Sequence, residues 1–522
     1  MQTNLAKPNA TGSRCSAWSR MLGLILAVAL ILVLGFRFIH QASFMIAAVR
    51  YPFGLDYGEG IVWQQAMLIP GPRMYGDITR FPFIVFHYPP AYHLAVRAVS
   101  DLGVDWLATG RAISVISSFA GCGVLAAMAW SGLREITCPA AALLGAAVAG
   151  LVIVTCGPFV TFSPLMRVDM LAIALDLAGL WCVLASIERP FLSYVGFALF
   201  VLAVFTKQTS VAAPLAASVL LLTRPRQAVK ATGFGIALGL VPLVILTWMT
   251  HGGFERHILL YNINRYSLHR LLYNLYRWDL PYIIYFVLAV ASVCVGWRYV
   301  FRTAAPSVAA LRYQVIVSRF ARLLTLVTAY FCLCTLTLIL YGKSGAGPNY
   351  MIEWMFAWSI LVGLLAGIAA NGLMTQGRSN GPSVQPVPAL VILFLVLQAA
   401  LLARTAHLPN DTVRAGLAEL VRKVQAADKP VISDDMVVLM RAGKEVVWEP
   451  AIFAELATMK VWDEQPFLDM IKQHDFSFII KTGTAMDASR FTPAVTSAIE
   501  AYYPRIEKIA GTTVHLPPDQ PR

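Results

Sequence analysis

"LSYVGFALFVLAVFTKQTS", residues 192–210, is apolar for most of its length and then breaks into Lys207 and a polar turn. As a helix, 192–205 rises about 21 Å at 1.5 Å per residue, short of a hydrocarbon core of about 30 Å. The turn therefore ends below the membrane surface. An ammonium at that depth costs several kcal/mol unless it faces a wet cavity or an anion. A lysine that snorkels to carbonyls at a helix break would explain the residue without any ligand.

The rest of the chain has the same character. Of 522 residues, 58% are hydrophobic and only 13% charged, and the mean hydropathy is +0.66. That composition excludes an ordinary soluble globular protein, and the length of the apolar runs excludes a transmembrane β-barrel of short alternating strands. The net charge of +13 comes from 41 basic and 28 acidic residues. The basic residues sit mostly in short loops between apolar runs, a pattern that sets membrane orientation and does not call for a nucleic-acid partner. Eight cysteines form neither a disulfide framework nor a zinc pattern.

The apolar run 21–36 follows Lys7, Arg14 and Arg20 without a small-residue cleavage site, so it is expected to be an uncleaved first span after a cytoplasmic tail, 1–20. Further spans are expected near 111–131, 138–157, 169–187, 192–206, 210–223, 229–250, 281–300, 323–341, 352–370 and 387–403, about eleven in all. The segment 88–104 is decided by parity. If it does not cross, the acid-free basic loops 223–230 and 298–322 both face the cytoplasm, so 88–104 is laid along the outer interface within an outer loop, 41–110. Residues 404–522 then lie outside the cytoplasm. In them "KPVISDD", "KEVVWEP" and "FSFIIKTG" predict strands between helical stretches, hence a small extracytoplasmic α/β domain. The expected fold is a polytopic α-helical membrane protein in the plasma (inner) membrane, with 21–403 as its membrane domain.

On this topology the outer side collects Asp56, Glu59, Asp77, His87, Tyr88, Arg167, Asp169, Lys207, Lys343 and Asn349. Asp56 and Glu59 fit a capping box opening an amphipathic helix at "YGEGIVWQQAML". Beside a membrane-depth lysine and an arginine, Asp56 also fits a base that must coexist with a bound phosphate. Asp169 is explained either by the same site or by the positive end of a helix. His87 is a packing residue or a ligand of an oxygen-rich metal site. "YGKSGAGPNY" lacks the spacing of a phosphate-binding P-loop and reads as an outer loop.

Together "YPPAYH", "RVDML", "FTKQTSVAAP" and "GPNYMIEW", in that order after an acid motif, resemble the polytopic GT-C glycosyltransferases, specifically the members similar to protein O-mannosyltransferases and the lipid A aminoarabinose transferase (glycosyltransferase family 39). The resemblance covers roughly 20–403. It implies a polyprenyl-phosphate sugar donor, a lipid, glycan or protein acceptor, inversion at the anomeric carbon, no nucleotide, and no required cofactor, with a divalent metal admitted. Asp56 would be the catalytic base and Lys207 the ligand of the lipid phosphate. Arg167, Asp169, Glu59, His87, Tyr88, Lys343, Asn349 and Tyr350 would line the donor and substrate site. A transporter or flippase of lipid-linked sugars would also place charge in a membrane cavity, although it more often shows related halves. A membrane anchor for 404–522 would leave Lys207 and Asp169 unexplained.

Overall fold

A computed structural model describes residues 10–303, 307–375, 387–402, 406–483 and 487–519. Each of the eleven expected spans coincides with a helix. In chain order these and the helices between them are α1 (Ala10–Arg50), α2 (Glu59–Leu68), α3 (Ala91–Ser100), α4 (Trp106–Ile136), α5 (Pro139–Leu151), α6 (Gly157–Phe162), α7 (Asp169–Ala185), α8 (Leu192–Thr206), α9 (Ala212–Leu221), α10 (Pro225–Met249), α11 (Gly253–Ile258), α12 (Leu268–Asn274), α13 (Ile283–Thr303), α14 (Val308–Val317), α15 (Arg319–Thr337), α16 (Ile352–Thr375) and α17 (Val387–Leu401). Six stretches are long and apolar enough to cross a membrane: Gly23–Arg50, Trp106–Ile136, Pro225–Met249, Leu268–Thr303, Arg319–Gly342 and Pro348–Met374. The others are apolar but shorter, and the chain is a multi-pass membrane protein.

Two details differ from expectation. Helix α1 already begins at Ala10, inside the expected tail, of which residues 1–9 lie outside the described residues. The loop 298–322 contains α14. The uncertain segment 88–104 folds as α3, ten residues long. At about 15 Å such a helix is too short to cross.

The membrane helices pack around α16, whose Trp358 is fully buried. Helices α5 and α16 approach through glycines. A Cβ on Gly363 would stand 2.6 Å from the Gly145 carbonyl, and one on Gly145 2.7 Å from the Gly363 carbonyl, so only glycine permits this spacing. At one end of the bundle the Arg319 amide donates to Glu135 (2.6 Å), the Arg319 and Arg322 guanidinium groups pair with Glu188 (3.2 and 3.4 Å), and Arg312 donates to the Thr223 carbonyl (2.7 Å). The basic loops 223–230 and 298–322 thus share one side of the bundle. Asp169 opens α7 and Lys207 follows α8, so both lie at the opposite end.

Residues beyond α17 form an α/β unit. It comprises α18 (Asp411–Gln425), β1 (Ile432–Ser433), α19 (Met436–Arg441), α20 (Pro450–Thr458), α21 (Gln465–Lys472), β2 (Ile479–Lys481), α22 (Asp487–Arg490), α23 (Pro493–Tyr502), β3 (Arg505–Ile509) and β4 (Thr512–Leu516). The sheet order is β1-β2-β4-β3, with β1 and β2 parallel and the other pairs antiparallel. The β3–β4 hairpin, unanticipated from sequence, turns at Ala510 and Gly511, both at positive φ, a conformation glycine adopts at little cost. Conversely "KEVVWEP" is not a strand of this sheet. Its backbone pairs with the first outer loop instead: the Phe83 amide donates to the Val447 carbonyl (2.8 Å) and the Gln64 side chain to the Val446 carbonyl (2.7 Å). Helix α2 is consequently sandwiched under this unit and buried almost all round, where the sequence predicts an amphipathic helix.

Candidate active site

Four charged side chains from three separate segments form a chain at the end of the bundle that also bears the α/β unit. Asp56, in the loop after α1, accepts a hydrogen bond from Arg167 Nη1 (2.6 Å). Arg167 Nε reaches Asp169 Oδ2 (3.4 Å), and Lys207 Nζ donates to Asp169 Oδ1 at 2.7 Å. Asn349 Nδ2 adds a further bond to the same oxygen (3.1 Å), and the Lys207 ammonium lies 5.3 Å from the centroid of the Tyr350 ring. Two carboxylates and two cations balance, as a site this dry requires.

Exposure divides their roles. The Asp169 side chain is 1% exposed, whereas Asp56, Arg167 and Lys207 keep 23%, 18% and 14%. Asp169 is buried within the group, and the other three keep polar atoms accessible. The local chain supports this. Helix α8 ends at Thr206, so Lys207 stands in extended backbone at the helix break, where its side chain can turn toward α7. Gly58 leaves room for Arg167, because a Cβ there would stand 2.6 Å from Arg167 Nη1. The partly buried Tyr88 phenol, whose pKa burial pushes up to about 12, lies within electrostatic range of Arg167, Asp169 and Lys207.

Asp56 and Glu59 do not form a capping box. Asp56 Oδ2 accepts from the Gly58 amide (2.9 Å), an Asx-type turn, and Glu59 Oε2 accepts from the Leu55 amide (2.8 Å). Glu59 belongs to a different structure. It is fully buried and takes a bidentate pair from Arg111 (2.8 and 2.7 Å) together with the Met166 amide (2.9 Å). The remaining Arg111 donors reach the carbonyls of Ala48, Tyr51 and Phe53, so all five N–H groups are used. This knot ties the end of α1 to α4 and to the segment before α7.

Three further predicted residues stand apart from the four-residue chain. His87 Nε2 lies 2.5 Å from Glu449 of the α/β unit, while the His87 carbonyl accepts from Gln208 and Asn262. Lys343 donates to the Asn262 carbonyl (2.9 Å), and its loop is held by Ser344 and Arg265 on Glu455. Asp77 is surface-exposed and binds Thr79. Among the described residues no three His, Cys, Asp or Glu groups sit close enough to hold a metal ion.

Sequence reasoning missed Arg111, Glu449, Glu455, Asp176 and Glu353. For Arg111, Asp176 and Glu353 a signal existed, since each is an ionisable residue within or at the edge of an expected span. Glu449 and Glu455 gave none.

No family model and no curated protein matches the sequence. Solved structures do match in fold. ArnT from Cupriavidus metallidurans in the apo state is 15% identical with a TM-score of 0.52, covering 96% of this chain and 98% of that one. The same protein bound to undecaprenyl phosphate gives 14% and 0.51 over the same shares. The oligosaccharyltransferase of Archaeoglobus fulgidus in its apo form gives 11% and 0.51, covering 93% of this chain and 72% of that one. These are GT-C glycosyltransferase folds, and the chain is a multi-pass membrane protein with the GT-C fold.

Proposed function

We propose that the protein is a membrane glycosyltransferase. It transfers a sugar from a polyprenyl-phosphate donor to a lipid, glycan or protein acceptor at the outer face of the plasma (inner) membrane, with 404–522 as an extracytoplasmic domain above the site. The observation that supports this best is the chain Asp56–Arg167–Asp169–Lys207, in which two partly exposed cations flank the buried Asp169 and one of them also holds the partly exposed Asp56. The fold neighbour crystallised with undecaprenyl phosphate agrees with it.

The chemistry follows from the geometry. Donor phosphate binds Lys207 and draws on Arg167, which relaxes its hold on Asp56. Asp56 then accepts the acceptor's proton as the acceptor oxygen attacks the anomeric carbon. The bond from that carbon to the phosphate oxygen breaks, and its electron pair leaves with the polyprenyl phosphate, stabilised by the two cations. Attack opposite the phosphate inverts the carbon. Fixed side-chain cations supply the positive charge, so the step requires no metal, and a divalent ion remains admitted with His87 as the group for a ligand role. Glu59 acts through the loop it holds, and Tyr88, Asn349 and Tyr350 line the donor.

The test is to incubate the purified protein with a panel of polyprenyl-phosphate sugars and measure free polyprenyl phosphate. Release with one member of the panel is expected. No release across the panel, with an acceptor extract present, would count against the proposal.

A further inference from the structure

A second acidic layer lies under Lys207. Asp176 is seven residues along α7 from Asp169, two turns on the same face and about 10 Å deeper. It is fully buried, and among the described residues its carboxyl oxygens have no charged partner in hydrogen-bond contact, only the neutral Ser210 hydroxyl beside them. Glu353, in the first turn of α16 and four residues beyond the Asn349 that bonds Asp169, lies within electrostatic range of it. Glu353 Oε1 accepts from the Tyr330 hydroxyl (3.3 Å) and from the Cys334 thiol (3.8 Å), both on α15. Among the described residues Lys207 is the cation whose charge acts on both acids, and its short bond is already given to Asp169.

The other surrounding elements add no counter-charge. The turn before α9 contributes the neutral Ser210, α9 has no titratable residue, and α13 presents Tyr285, bonded to Thr155. Helix α4 has Arg111 only toward its outer end, where Glu59 holds it. Two ionised carboxylates here would bring the buried layer around Lys207 and Arg167 to a net negative charge before any phosphate arrived.

The geometry points to Asp176 and Glu353 as a proton-holding pair that couples donor-phosphate binding to proton uptake. The inference rests on the assignment of Lys207 and Arg167 to the donor phosphate. A carboxylate with no charged partner in a membrane interior is stabilised by a proton, and a phosphate arriving at Lys207 adds negative charge about 10 Å above Asp176. When either acid is ionised in the empty protein, binding draws a proton from solvent onto it. When both are neutral, none is taken up. The pair thus acts through Lys207, as positioning residues that set how much of its charge the phosphate meets.

The experiment measures the dissociation constant of a polyprenyl monophosphate for the wild type, D176N, E353Q and the double variant at about pH 6 and about pH 9. Asn and Gln imitate the protonated acids. The wild type and the variants should bind alike at the lower pH. At the higher pH the double variant should bind about ten- to thirtyfold more tightly than the wild type, the effect of one charge at this range in a site of intermediate dielectric. Comparing proteins at one pH removes the ionisation of the phosphate itself. Calorimetry in two buffers of different ionisation enthalpy should show proton uptake in the wild type at high pH and less in the variants. The two single substitutions lie on different helices, so either one, if folded, suffices. A wild-type to variant ratio that does not change with pH overturns the inference while leaving the donor site standing. A wild type that binds no polyprenyl phosphate overturns both.

Discussion

Asp56 and Arg167, 111 residues apart in the chain, meet at 2.6 Å, and the guanidinium that holds Asp56 also contacts the buried Asp169. A carboxylate in such a pair is fixed in direction, but Arg167 occupies a lone pair that a base needs free. In the proposed reaction the donor phosphate relieves that hold. Asp56→Asn should therefore keep the fold and donor binding yet lose about 100-fold or more in turnover, the scale of general-base catalysis. Transfer assays beside a binding titration check this, and near-full turnover in the variant would remove Asp56 from the role of base.

Gly58 is the constraint on that pair. A methyl group on it would stand 2.6 Å from Arg167 Nη1 and 3.2 Å from Asp56 Oδ2, so something must shift. Gly58 has φ −78°, which alanine adopts without strain, so the backbone tolerates the change. Gly58→Ala is expected to fold normally while losing about tenfold in turnover through misplacement of the pair. Unchanged kinetics would mean that the Asp56–Arg167 contact is dispensable.

Glu59 should behave in the opposite way from its neighbour. Glu59→Gln leaves the fully buried Arg111 without its counter-charge, a loss on the order of 3–5 kcal/mol. The expected outcome is a markedly lower melting temperature in detergent, with the surviving folded protein retaining its turnover number. A stable but inactive Glu59→Gln protein would instead place Glu59 in the chemistry.

The membrane helices and the ends of the charged site were legible because the physics is local. Apolar length marks a span, and a charge at its end, such as Asp169 or Lys207, marks a site. The partner of Glu59 was not legible, since Arg111 is 52 residues away and stands at the edge of an apolar run that masked it. "KEVVWEP" has the alternation of a strand, but the first outer loop supplies its hydrogen bonds, a choice that tertiary contact makes and local pattern does not show. Asp176 and Glu353 were visible as acids inside expected spans. What the sequence could not show is that the fold brings both within electrostatic range of Lys207 and of each other.

Asp435, which caps α19 in the α/β unit by accepting from the Val438 amide, gives the pH dependence a sign. Burial, helped by the neighbouring Asp434 charge, pushes its pKa from 3.8 up to about 6. The folded state thus holds this proton more tightly than the unfolded chain. Its contribution to stability is greatest below pH 3.8, declines as pH rises through about 6, and is flat above. Asp435→Asn keeps the cap and removes the ionisation. The variant should gain on the wild type in melting temperature as pH rises from about 4 to about 6, and hold that gain at higher pH. A difference that is constant over this window would show that Asp435 titrates as an ordinary exposed carboxyl.

Lys207 has two tasks that substitutions can separate. It neutralises Asp169, whose side chain is only 1% exposed, and in the proposed reaction it offers its remaining donors to the donor phosphate. Lys207→Met should therefore weaken binding of polyprenyl phosphate by about 10- to 150-fold, the equivalent of a charged hydrogen bond worth about 1.5–3 kcal/mol. The same variant should lose thermal stability, because Asp169 keeps only the 3.4 Å contact with Arg167 and the Asn349 amide. Adding Asp169→Asn removes the stranded charge, so the double variant should recover stability without recovering binding. Lys207→Arg should restore stability and part of the affinity, since a guanidinium keeps the charge but spreads its donors differently from an ammonium. Thermal-shift titrations of the four proteins with polyprenyl phosphate read both quantities at once. If the double variant binds as the wild type does, Lys207 is an internal counter-ion for Asp169 alone, and the phosphate site must be sought at Arg167.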